Sequence, residues 1–172
     1  ELLLPIRAVL AVNFSDTTLL GDSNEATIKE ANAALQYMIK LISKERGAAD
    51  ASLASFYERL GHFEQPKTGS IDTGLKILKG AHGTNSIQVA DYLLRVGQNL
   101  GQVPNDHRQK WINEAKTVYE SLLKGAGGDV TDTTNQLAVA NYTLGALQLQ
   151  NNQLDDAAAV LLLALDGMKT DD

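Results

Sequence analysis

Apolar residues recur at intervals of three and four along almost the whole of this 172-residue chain. That spacing places them on one face of an α-helix, whereas the alternating β-branched runs of half-buried strands are missing. Short segments with turn chemistry interrupt the pattern, among them Gly47 to Asp50, Gly80 to Asn85 and the pair Asn151-Asn152. The sequence therefore predicts an all-α fold built from short helices.

Helix-start and helix-stop signals set the approximate ends of these helices. A capping side chain is followed three residues later by an acid or an amide at Asp22/Glu25, Asn85/Gln88, Asp106/Gln109 and Thr133/Gln136. Basic residues precede the glycines that would end helices at Gly47, Gly80 and Gly125. The predicted helices cover residues 3–14, 23–46, 50–63, 68–80, 86–101, 106–124, 133–150 and 153–168.

Small residues recur at a nearly constant spacing in every second predicted helix. Ala31, Gly74, Ala115 and Ala157 lie 43, 41 and 42 residues apart, and residues able to pack follow each of them four and seven positions later. Such a period is typical of repeat architectures. We expect each small residue to lie where the two helices of a hairpin approach most closely. The preceding helices each combine alanine, tyrosine and a hydrophobic-glycine pair, at 54–61, 89–97 and 139–145.

The last repeat resembles a tetratricopeptide repeat. Leu144-Gly145, the segment 151–157, Leu161 and Ala164 carry the resemblance, and the period near 42 is similar to the longer repeats of kinesin light chains. The resemblance implies a right-handed stack of antiparallel helical hairpins, an α-solenoid, with repeats at 50–81, 86–124 and 133–168. Residues 1–46 would form divergent N-terminal helices or a cap of the same single domain, 1–172. An antiparallel helix bundle is the alternative.

Composition excludes several classes of function. The net charge of −6 and the isoelectric point near 5.0 argue against a nucleic-acid partner, which requires clustered Lys and Arg. No apolar stretch approaches the roughly 20 residues that span a bilayer, so we expect a soluble chain without a membrane span. The chain has no cysteine, which suits either redox environment and leaves the compartment open. Because the chain starts at Glu1, a targeting segment removed upstream stays possible.

No residue pattern predicts catalysis, a cofactor or a metal. The three histidines, His62, His82 and His107, lack the i, i+4 pairing of a helical metal site. The glycine-rich segment 124–129 lacks the phosphate-loop pattern and follows a predicted helix, so a helix stop explains it better. Trp111 shares a helical stripe with apolar residues and is expected in the core. We therefore expect a non-enzyme, and an enzyme with an unrecognised site is the least favoured hypothesis.

A stack of hairpins exposes a concave face formed mainly by the first helix of each pair, and this face is the expected partner site. The resemblance implies the following candidate groove residues: Glu58, Arg59, His62, Asp91, Arg95, Gln98, Asn141, Tyr142 and Gln148. We expect a non-catalytic adaptor or scaffold that binds an extended peptide or a helix of a neighbouring subunit.

The alternative is a structural subunit packed permanently in a larger complex. It rests on the segment 157–165, which is apolar on almost every side of its predicted helix. We expect that either further chain or a partner protein covers this helix.

Overall fold

The computed structural model describes residues 25–63, 68–99, 103–125 and 131–168, and these form seven α-helices without a strand. In chain order the helices are α1 (Glu25–Arg46), α2 (Leu53–Phe63), α3 (Gly69–His82), α4 (Ile87–Asn99), α5 (Asn105–Gly125), α6 (Thr131–Gln150) and α7 (Leu154–Gly167). The all-α prediction is confirmed. The predicted helix 3–14 lies outside the described residues.

The chain divides into two compact units, residues 1–81 and 82–172. The boundary falls between the predicted hairpin repeats 50–81 and 86–124. In the first unit α1 and α2 share a core made by Leu35, Met38, Ile42, Leu53, Phe56 and Leu60. Helix α2 also meets α3, because Gly61 lies directly against the side chain of Ile71.

Asp50 lies three residues before α2, at the end of the turn that follows α1. Its carboxylate accepts hydrogen bonds from the Ser52 hydroxyl and, at 2.9 Å, from the Ser52 amide. The hydroxyl bond first, and then the amide bond, hold the pKa of Asp50 below its usual value. The first turn is tightened by a bond from the Leu53 amide to the Asp50 carbonyl at 3.0 Å, so the regular helix begins three residues later than predicted.

We predict that Asp50→Ala lowers the free energy of unfolding by about 0.5–1 kcal/mol at neutral pH, because the Ser52 amide, in the turn that leads into α2, loses its acceptor. The folded-state pKa is depressed, so this stabilisation is present above the unfolded pKa of about 4 and is lost as the pH falls through the folded value. Urea unfolding of both proteins across that range checks this. A difference that does not shrink in acid would contradict it.

In the second unit two antiparallel hairpins, α4–α5 and α6–α7, lie side by side. Helix α5 packs on α6, and α4 also contacts α6. The start of α5 meets the end of α4, where Gly97 faces Ile112, and further back the Tyr119 hydroxyl donates to Asp91 at 2.7 Å. Contacts between successive helices and between the two first helices fit a stack of hairpins, and they also fit a bundle. Trp111 is buried on α5, as predicted.

Glycines of the first helices set the close approaches. A Cβ added at Gly97 would lie 2.5 Å from Cγ1 of Ile112, and one at Gly145 would lie 2.6 Å from Cγ of Leu161. Gly61 lies against Ile71 in the same way. Each hairpin thus supplies its small residue from the first helix, which leaves the second helix free to carry a branched side chain there.

This register differs from the one expected from the small residues of the second helices. Ala157 does face Gly145, with its carbonyl oxygen 3.4 Å from the added Cβ. In α5 the corresponding contact is made by the carbonyl oxygen of Arg108, 3.4 Å from a Cβ added at Gly97. Arg108 lies seven residues before Ala115, the residue expected at this contact. The close-approach glycines are spaced unevenly, with 36 residues from Gly61 to Gly97 and 48 from Gly97 to Gly145. Their spacing is therefore less regular than the period near 42 of the small residues in the second helices.

Burial supports the glycine register. The residues seven, five and one before each glycine are buried in all three cases: Ala54, Phe56 and Leu60; Ala90, Tyr92 and Val96; Ala138, Ala140 and Leu144. Tyr92 and Tyr142, which occupy matching places in the sequence echo, are therefore not equivalent. Tyr92 is in the core and Tyr142 is exposed.

Candidate protein-interaction site

The predicted groove residues of α2 lie at two different depths. Glu58 is buried, whereas we expected it to line the exposed concave groove. It is three residues before Gly61, a place where α2 is covered by its neighbours. Arg59 is half-buried, and its Nη1 donates to the Ser55 carbonyl at 3.3 Å. His62 is also half-buried.

Two of the three predicted groove residues of α4 connect helices inside the second unit. The carboxylate of Asp91 accepts the bond from Tyr119 on α5, and burial together with this bond raises the pKa of Tyr119. The Gln98 amide donates to the Thr143 hydroxyl on α6 at 3.1 Å. Arg95 is exposed. Asp91 and Gln98 therefore stabilise the packing of α4 on its neighbours.

The predicted residues of α6 also differ in depth. Asn141 is buried and Gln148 is half-buried, and neither side-chain carbonyl oxygen has a hydrogen-bond partner among the described residues. Asn141 lies four residues before Gly145, on the side of α6 that faces the core. Tyr142 is the exposed member, with 57% of its surface accessible.

Arg108 is a structural residue that the sequence pattern did not identify. Its Nε donates to the Gly97 carbonyl at 2.9 Å and its Nη2 to the Gln98 carbonyl at 3.0 Å. These are carbonyls at the end of α4, where a cation is favoured by the helix dipole. Burial lowers the pKa of Arg108. No motif marks such a contact, because it joins two helices across a turn of variable length.

Most of the exposed large apolar side chains of the described residues lie on or just after helix α7. Its buried residues are Ala157 and Ala164 alone. The exposed large side chains on and just after it are Leu154, Leu162, Leu163, Leu165 and Met168. The predicted apolar character of this helix is thus accompanied by exposure of most of its surface.

Apolar residues of α6 and α7 lie on one side of their hairpin. Tyr142 and Leu149 are three residues before and four after Gly145. Ala158 and Leu165 hold the same offsets from Leu161, the residue that faces this glycine. At about 100° per residue, each offset turns about 50° in the same sense around its helix. Because the helices are antiparallel, both turns lead to the same side of the hairpin.

We call this surface the open edge. It consists of Tyr142, Leu149, Leu154, Ala158 and Leu165, all exposed. Leu154 is seven residues before Leu161 and continues the stripe toward the start of α7. Leu163 is two residues after Leu161, which places it about 200° around the helix and away from the open edge.

In the second unit, the first hairpin (α4–α5) is covered on the side that corresponds to the open edge. Leu94 lies three residues before Gly97, as Tyr142 lies three residues before Gly145. Leu94 is only 3% exposed. On α5 the places of Leu154 and Ala158 are held by Asn105 and Gln109. These two amides donate to the turn between α6 and α7, at Asn151 (2.9 Å) and Gln153 (3.0 Å). The second hairpin therefore docks on the side of the first that corresponds to the open edge.

The hairpin that carries the open edge is acidic. Residues 131–167 contain no Lys, Arg or His, and their charged side chains are Asp132, Asp155, Asp156 and Asp166. The three aspartates of α7 are all exposed. An apolar stripe bordered by carboxylates can bury apolar side chains and attract basic ones.

Neither a protein-family model nor a curated protein matches this chain. Within the described ranges, no cluster of three or more His, Asp or Glu side chains could hold a metal ion. None of the described helices is long and apolar enough to cross a membrane.

Proposed function

We propose that this chain is a non-catalytic protein–protein interaction module, a subunit or adaptor of an assembly, that binds its partner across the open edge. One observation carries the proposal: the open edge is apolar and exposed, although the equivalent side of the first hairpin is covered. Contiguous exposed apolar patches on folded proteins are typical of binding surfaces.

Burial of the open edge would contribute to the stability of a complex. Full burial of an exposed leucine side chain contributes about 1.5–3 kcal/mol. The three leucines and the tyrosine of the open edge are about half exposed, so roughly half of that gain per side chain is available on binding. Aromatic and large aliphatic residues at the centre of a surface supply most of the energy of protein complexes. Because association also costs translational, rotational and side-chain freedom, a stable complex needs further contacts around the open edge.

An extended peptide bound in a concave groove is the second candidate. Arg95 and Tyr142, from the first helices of the two hairpins, are exposed and support it. Asp91 and Gln98 support it less, because their side chains already bond within the chain. An enzyme with an unrecognised site has no observation in its favour, so we do not propose it.

Two leucines of α7 provide a matched test of the open edge. Leu165 is 52% exposed and lies on it, while Leu163 is 53% exposed and lies off it. We predict that Leu165→Lys reduces partner recovery from the native source, after mild cross-linking, by about tenfold, and that Leu163→Lys leaves it unchanged. Circular dichroism of both variants controls for folding.

The result that would count against the proposal is equally specific. If Leu165→Lys retained the partner at the level of the unmodified chain, the open edge would not be the binding surface. If both variants lost it equally, the loss would reflect the charge or helix stability of α7 and not this face.

A further inference from the structure

We propose that the partner segment is an amphipathic α-helix with basic residues beside its apolar stripe, lying along the open edge as the second hairpin lies along the first. This inference rests on the proposed function, because it specifies the chemistry of the partner at the same surface. The open edge, its acidic border and the covered side of the first hairpin carry it.

The shape of the open edge fits a helix. Its residues on α7 span Leu154 to Leu165, which is about 16 Å along a helix axis and equals three turns of a partner helix. Tyr142 and Leu149 on α6 form the opposite wall, so the edge is a shallow trough between two helices. A third helix with anchors at three- and four-residue intervals fits such a trough.

An extended strand fits this surface less well. Strand addition requires unpaired backbone amides and carbonyls on the receiving protein. Within α6 and α7 these groups are bonded inside the helices, and at the turn between them the Asn152 and Gln153 amides bond to the Leu149 and Gln148 carbonyls at 3.0 and 2.9 Å. The surface therefore binds side chains and not a backbone.

The acidic charge around the open edge favours a basic helix over a second copy of this chain as the occupant. Around α7, Asp155 and Asp166 lie about 60–80° beyond Ala158, with the exposed Leu162 between them and the open edge. No basic residue lies between 131 and 167. Two copies joined antiparallel through α7 would bring Asp155 of each near Asp166 of the other, which is repulsive. Lysines or arginines beside a partner's apolar stripe would meet these carboxylates instead.

A pair of synthetic helical peptides tests the inference on the full chain. Both have about 18 residues and the same leucine and alanine stripe, and they differ in carrying lysines or glutamates beside it. By fluorescence anisotropy we expect the lysine peptide to bind at least about tenfold more tightly in about 50 mM NaCl, with the ratio falling toward about threefold in 0.5 M. Leu165→Lys should weaken its binding about tenfold, and Leu163→Lys less than about twofold.

Each of the other outcomes would contradict a specific part of the inference. Equal affinity for the glutamate peptide would overturn the basic character of the partner. Concentration-dependent dimerisation that Leu165→Lys abolishes would make a second copy the occupant and overturn the inference. If neither peptide bound, while capture from the native source still depended on Leu165, the helical partner would be excluded and the proposed function would stand. If neither peptide bound and capture from the native source did not depend on Leu165, both the helical partner and the proposed function would be contradicted.

Discussion

Gly97→Ala is expected to lower the free energy of unfolding by about 1–3 kcal/mol, although alanine is the better helix former. The added Cβ would lie 2.5 Å from Cγ1 of Ile112 and 3.4 Å from the Arg108 carbonyl oxygen. Ile112 is fully buried and cannot swing away, and a backbone carbonyl cannot yield without moving α5. The clash therefore outweighs the gain in helix propensity, which is about 1 kcal/mol.

Gly80→Ala is the matched control, because Gly80 is exposed in the last turns of α3 and an added Cβ meets nothing within 4 Å. We expect this variant to gain about 0.5–1 kcal/mol in urea unfolding. Combining Gly97→Ala with Ile112→Ala should cost less than the sum of the two single changes by about 1 kcal/mol, since the smaller partner makes room. Stabilisation by Gly97→Ala similar to that of Gly80→Ala would contradict the close approach.

Arg108→Ala is the second change with a large expected effect, a loss of about 1.5–3 kcal/mol in the stability of the second unit. The side chain donates two charge-assisted hydrogen bonds to carbonyls at the end of α4, and such bonds contribute about 1.5–3 kcal/mol to stability. Alanine would leave these carbonyls without that donor. Lysine keeps the charge but lacks the planar fork, so Arg108→Lys should recover less than half of the loss.

Fluorescence of Trp111, the only tryptophan, is a direct readout of unfolding in this unit because it lies on the same helix. Lys110→Ala is the control, since Lys110 is an exposed cation two residues away and its removal should change stability by less than about 0.5 kcal/mol. An equally small effect of Arg108→Ala would show that the two carbonyl bonds contribute little.

Most of the helices could be predicted from the sequence because each carries its own apolar period and its own turn chemistry. The start of α2 is an exception. Asp50 bonds to Ser52 and forms a tight turn that looks helical in sequence, so the regular helix begins later. The repeat register was harder, because it depends on which helix supplies the small residue. Gly97 and Gly145 do so, and turns of different length hide their equivalence.

Some features of the candidate site could also be predicted from the sequence, whereas others depend on how the helices pack. The apolar character of α7 follows from its sequence, since apolar residues surround nearly the whole helix. Which of its sides stays open depends on where α6 lies, and that is not encoded in α7 alone. Asp91 and Gln98 look like surface residues in sequence, yet they bond to neighbouring helices. Asn141 is buried because α6 is covered on that side, which a single helix cannot reveal.

Site-directed photo-cross-linking in the native source tests the open edge most directly. A benzophenone side chain would replace Tyr142, Leu163 or Leu165 in turn, and the cross-linked products would be compared by mass spectrometry. We predict that positions 142 and 165 capture the same partner protein through a basic helical segment, while position 163 does not. Capture from position 163 at an equal or higher level would contradict the assignment of the open edge as the partner-binding surface.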